Sequence, residues 1–69
     1  NLFLDQEKMA NYVKIRMVER ILKIKSSTLN VANLAMIFKL DPRQGIYIHS
    51  DEGEIIPPDS MSSFKVDDQ

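Results

Sequence analysis

Cysteine is missing from this 69-residue chain, which removes disulfides and thiolate metal ligands together. His49 is the one histidine, so zinc-type ligand spacing cannot be assembled from one copy, and neither a metal nor a cofactor is expected. With Gly45 and Gly53 as the two glycines, there is no Gly-rich loop to cradle phosphates. No apolar run approaches the roughly 18–20 residues needed to cross a bilayer, and no membrane contact is expected. The start, Asn1-Leu2-Phe3-Leu4, has neither an initiating Met nor the basic region and long apolar core of a signal peptide. These absences lead to the expectation of a piece of a larger intracellular protein, cytoplasmic or nuclear.

A chain this short buries only about 60% of its extended surface on folding. Without disulfides or a structural metal, a partner chain is the remaining usual aid to stability. The 43% hydrophobic and 28% charged shares are those of an ordinary globular domain.

Catalysis finds little support. The acidic residues crowd into turns and the C-terminal segment, where water solvates them and nothing raises a carboxyl pKa for acid–base work. Serines stand at 26, 27, 50, 60, 62 and 63, but no pattern pairs one with His49 and an orienting carboxylate. The acidic turn Asp51-Glu52-Gly53-Glu54 lacks the regular alternation of a twelve-residue calcium loop. The expectation is a protein that is not an enzyme.

What the chain does have is charge sorted along its length. Residues 1–39 carry seven Lys/Arg against three Asp/Glu, a net +4; residues 40–69 carry two against seven, a net −5. The formal total of −1 hides this polarity, which favours contact between opposite ends, within one chain or between two.

Residues 5–25 contain no Gly or Pro and predict a helix, with Asp5 as N-cap, Glu7 in the first turn and Lys23 and Lys25 in the last. At about 100° per residue, Met9, Ala10, Val13, Met17, Ile21 and Ile24 fall on one stripe. Ile15, Val18 and Leu22 form a second, which Asn11 extends by a turn. A helix covering one side of a small domain needs only one apolar stripe. The second either joins the domain's own core or packs on another chain.

Residues 28–40 are ambiguous. Val31, Leu34, Ala35 and Phe38 fit a helical stripe capped by Ser27 or Thr28, while Leu34 to Leu40 also reads as a short buried strand. Either element ends at Asp41-Pro42. Residues 45–57 predict a β-hairpin, in which Ile46-Tyr47-Ile48-His49 and Glu54-Ile55-Ile56 flank a turn at 50–53 and Pro57-Pro58 stops the second strand. Residues 58–69 read as an acidic tail, extended along a groove or disordered, with Met61, Phe64 and Val66 as anchors.

Residues 28–41 resemble the second helix of winged-helix domains, where a capped start precedes Leu-Ala and an apolar pair, here Leu34-Ala35 and Met36-Ile37. That likeness implies a first helix at 5–25, a wing at 45–57 and nucleic-acid binding. It leaves only Pro42-Arg43-Gln44 where the family's recognition helix belongs, and it carries over no binding residue.

Six of the nine basic residues lie between Lys8 and Lys25. On a helix they split, with Lys8, Lys14 and Lys25 to one side and Arg16, Arg20 and Lys23 to the other. A stripe that tracks phosphates wants them on one face.

Together these features describe an α+β module comprising a long N-terminal amphipathic helix, a short second helix or strand, a β-hairpin and an extended acidic tail. Its expected work is protein–protein interaction, as a homo-oligomer or a hetero-subunit. Ile15, Val18 and Leu22 would supply apolar contact and Asn11 would fix register. The alternative is a nucleic-acid-binding module using the basic residues of 5–25.

Overall fold

The computed structural model describes residues 1–5 and 11–66. Five strands form one mixed sheet in the order β3-β2-β1-β4-β5, where β1 is Leu2–Leu4, β2 Tyr12–Met17, β3 Arg20–Lys25, β4 Ile48–His49 and β5 Ile55–Ile56. Among the described residues one α-helix, α1, spans Val31–Phe38 between β3 and β4. β1 is antiparallel to β2 and parallel to β4, so the first strand of the chain lies at the centre of the sheet. The pairs β2–β3 and β4–β5 are antiparallel hairpins.

The expected helix over 5–25 does not exist. Its described part is the β2–β3 hairpin, and Glu7, Lys8, Met9 and Ala10 of the expected helix lie outside the described residues. The physical reason is the period. Val13, Ile15 and Met17 alternate with Lys14 and Arg16, and Leu22 and Ile24 alternate with Lys23 and Lys25. Strict alternation in a β-branched segment is the pattern of a strand buried on one side.

The register pairs Val13 with Ile24 and Ile15 with Leu22. Members of both supposed helical stripes therefore come together on one face of the sheet. There Leu2, Val13, Ile15, Ile24 and Ile48 are buried, with Leu4, Met17, Leu22 and Ile56 packed against them.

The turn between β2 and β3 disguised this hairpin. It uses Val18-Glu19, with Val18 at φ 56°, a left-handed backbone that two-residue hairpins usually give to Gly or Asn. A left-handed L-residue costs roughly 1–2 kcal/mol, and β-branched Val belongs to the least tolerant group. Val18→Gly is expected to stabilise the domain by up to about 1 kcal/mol, since glycine's extra chain entropy offsets part of the relief. A rise of several degrees in Tm would show it; an unchanged or lower Tm would contradict the strain.

Of the two alternatives for 28–40, the chain takes the helix. Asn30, not Ser27 or Thr28, caps it: the Asn33 N–H donates to Asn30 Oδ1 at 2.8 Å. Lys39, left-handed at φ 59°, ends the helix two residues ahead of Asp41-Pro42. Leu34, Ala35 and Phe38 face the core, where Leu29, Ile46 and Phe64 join them.

The second hairpin lies within 45–57, but its strands are only two residues each. Its turn is held by Ser50, whose hydroxyl accepts from the N–H groups of Glu52 (3.2 Å) and Glu54 (3.1 Å), and Gly53 supplies the left-handed corner at φ 85°.

The expected extended acidic tail is also corrected. Residues 59–66 fold back onto the domain. Asp59 Oδ1 accepts from the Met61 and Ser63 N–H groups, both at 2.9 Å, and the Ser63 N–H bond holds its carboxyl below the ordinary carboxylate range. Phe64 donates its N–H to the Leu29 carbonyl at 3.0 Å, and Val31 donates to Ser62 at 2.9 Å. Asp67 and Asp68 lie outside the described residues.

Candidate functional site on the open sheet face

All of the buried core lies on one side of the sheet. The alternation that points Val13, Ile15, Leu22 and Ile24 inward points Tyr12, Lys14, Arg16, Ile21, Lys23 and Lys25 to the opposite face. β1 and β4 add Phe3 and His49 to that face, because Phe3 pairs with both Arg16 and His49. None of these residues belongs to the core cluster.

A row therefore crosses all five strands through Ile21, Arg16, Phe3, His49 and Ile55. Its two ends are apolar and exposed, Ile21 at 61% and Ile55 at 57%. Its middle is a file of stacked planes. The Arg16 guanidinium lies 4.9 Å from the Phe3 centroid, and the Phe3 and His49 rings stack at 5.2 Å with 25° between their planes. Tyr47, 42% exposed, meets His49 edge-on at 5.3 Å.

Beside this file lies a block of positive charge. Lys14 stands directly across from Lys23, and Tyr12 across from Lys25. Like charges placed opposite each other on a sheet are destabilising. The Lys23 ammonium sits 5.1 Å from the centre of the Tyr12 ring, which offsets part of this. Asp5 pairs with Arg16 at 3.6 Å. Among the described residues, the cations Lys14, Arg16, Lys23 and Lys25 outnumber the carboxylate of Asp5 on this face, leaving it about +3 by formal charge.

Arg20 serves the fold instead. It donates to the Ile37 carbonyl at 3.1 Å and lies over Phe38 at 5.3 Å, tying the start of β3 to α1.

Of the four expected partner-binding residues, Ile15 and Leu22 are brought together and Asn11 and Val18 are not. Ile15 is wholly buried in the core, Val18 is 73% exposed at the hairpin tip, and Leu22 is half-buried beside Ile15. Asn11 lies in an exposed turn before β2, where its carbonyl accepts from the Ser26 N–H at 2.8 Å and the Ser26 hydroxyl at 3.1 Å. No shared apolar seam joins all four.

Sequence reasoning missed Phe3, Tyr12, Tyr47 and His49 as a group. The alternation of 12–17 and 22–25 was the signal that could have placed the basic residues of both strands on one face.

Elsewhere, an open cleft of about 320 Å³ is lined by Leu2, Met17, Leu40, Asp41, Gln44 and Tyr47, among others. Its one carboxylate, Asp41, is engaged by Arg43 at 3.1 Å, and that contact lowers its pKa. Among the described residues, no three potential metal ligands converge. No helix among them is long and apolar enough to cross a membrane.

No family model matches this chain, and no curated protein or solved structure matches it either.

Proposed function

We propose that this chain is a non-catalytic, intracellular binding module that takes an anionic partner on the open face of its sheet. The observation that carries the reading is the collection of Lys14, Arg16, Lys23 and Lys25 on one face of a chain whose formal charge is −1. Lys23 and Lys25 are exposed on this face and the register sets Lys14 and Arg16 beside them, so the surface presents positive potential to an anion. Assembly through Asn11, Ile15, Val18 and Leu22 is no part of this reading, because Ile15 and Leu22 lie together on the core face while Asn11 and Val18 sit at exposed turns.

The test uses a heparin oligosaccharide as a generic polyanion, titrated at low ionic strength and followed by amide NMR. Shifts are expected on β2 and β3, at and around Lys14, Arg16, Lys23 and Lys25, and they should fade as salt is raised. The double variant Lys23→Glu, Lys25→Glu should keep the fold and weaken the interaction at least tenfold. Shifts confined to α1, or no interaction at low salt, would overturn the reading.

A further inference from the structure

We infer that the occupant of the open face is a single-stranded nucleic acid, with unpaired bases on the file Arg16–Phe3–His49–Tyr47 and phosphates along Lys14, Lys23 and Lys25. The inference rests on the proposed anionic partner and adds the planar chemistry beside the charge. Charge alone would suit any polyanion. This face also carries two aromatic rings stacked at 5.2 Å and a guanidinium 4.9 Å from the centre of one of them. Tyr47 is half-exposed at one end of the file, and Tyr12 lies within the cationic block.

Unpaired bases stack on aromatic rings and on Arg planes, while phosphates pair with Lys and Arg, so a single strand uses both halves of the surface. A duplex keeps its base faces inside and would leave the rings unused. Among the described residues there is also no basic α-helix to offer a major groove. α1 reads Val-Ala-Asn-Leu-Ala-Met-Ile-Phe, and its Leu34, Ala35 and Phe38 are committed to the core. The exposed apolar residues Ile21 and Ile55 bound the row, framing the stacking file rather than interrupting it.

The experiment is fluorescence anisotropy on the whole chain, with a labelled single strand of about eight nucleotides, within the usual footprint of such surfaces. Four competitors are compared: the same strand made abasic, the matching duplex, a heparin oligosaccharide and a poly-glutamate peptide. The single strand should bind with a salt-dependent affinity at least tenfold above the abasic strand and the duplex.

Tyr47→Ala, at a position exposed enough to spare the fold, should weaken single-strand binding several-fold while leaving heparin affinity and the salt slope unchanged. Lys14→Gln with Lys23→Gln should lower the salt slope by about 1–2 for every ligand. Equal affinity for the intact and abasic strands, or for heparin, would overturn the nucleic-acid inference and leave the anionic-partner reading standing. Preference for poly-glutamate would overturn it in favour of an acidic protein segment. Failure of all five ligands to bind at low salt would overturn both.

Discussion

Ile15→Asp is expected to unfold the domain, whereas Val18→Asp is expected to leave it folded. Ile15 has no exposed surface, and its side chain is shared between Leu4 on β1 and Leu22 on β3. Removing a buried aliphatic side chain costs about 2–5 kcal/mol. An uncompensated buried carboxylate adds several more, or is neutralised at similar cost. A 69-residue domain has a total stability of about 3–10 kcal/mol, so this loss consumes it.

Val18 offers the opposite case. Its side chain is largely in water, and its left-handed backbone suits Asp better than a β-branched residue. Far-UV circular dichroism with urea titration separates the two variants, and Ile15→Val, expected to cost about 0.5–1.5 kcal/mol, gives a graded reading if the charged variant cannot be isolated. Two variants of equal stability would refute the hairpin register.

Phe64→Ala should lower stability by about 3–5 kcal/mol, the usual cost of deleting a buried phenyl ring. Phe64 is 2% exposed and sits in the core cluster with Leu29, Leu34 and Phe38. Its N–H also ties the C-terminal segment to Leu29. Where the domain survives, in the cold or with osmolyte present, the Phe64 and Val31 amides should exchange faster than in the parent, because both bond across this junction. A tail lying loosely on the surface would tolerate the change within about 0.5 kcal/mol, and that result would contradict the folded-back segment.

How legible this was in the sequence differs from segment to segment. The second hairpin was readable because Ser50-Asp51-Glu52-Gly53 carries turn chemistry and Gly53 takes the positive φ. The stripe of α1 was readable too, since Val31, Leu34, Ala35 and Phe38 sit at helical spacing and end before Asp41-Pro42.

The first half failed for a physical reason. Two strands of alternating residues, joined by a two-residue turn without Gly, place inward side chains at 13, 15, 17, 22 and 24. Positions 13, 17 and 24 also satisfy a period of 3.6, and so do 15 and 22. One sheet face was thereby read as two helical stripes.

The same error scattered the cations. Lys14 and Arg16 on one strand and Lys23 and Lys25 on the next share a side only when the period is two and the strands pair as Lys14 to Lys23. Phe3, beside Arg16, and His49, beside Phe3, were further out of reach. Phe3 arrives through β1 and His49 through a parallel pairing between distant segments, which no local pattern encodes. The role of Phe64 was glimpsed as an anchor, but the hydrogen bonds that hold its segment, Phe64 to Leu29 and Val31 to Ser62, are a tertiary matter.

The central place of β1 has a kinetic consequence. Each hairpin closes a short loop and can form from neighbouring residues alone, whereas joining Leu2 to Ile48 must bring together remote stretches of chain. β1 can join β2 locally, since Leu4 pairs with Ile15, so the late step expected is the docking of β4 and β5 on the edge that β1 offers. Because Phe3 and His49 meet only across that pairing, the row through Arg16, Phe3 and His49 is completed only as folding finishes.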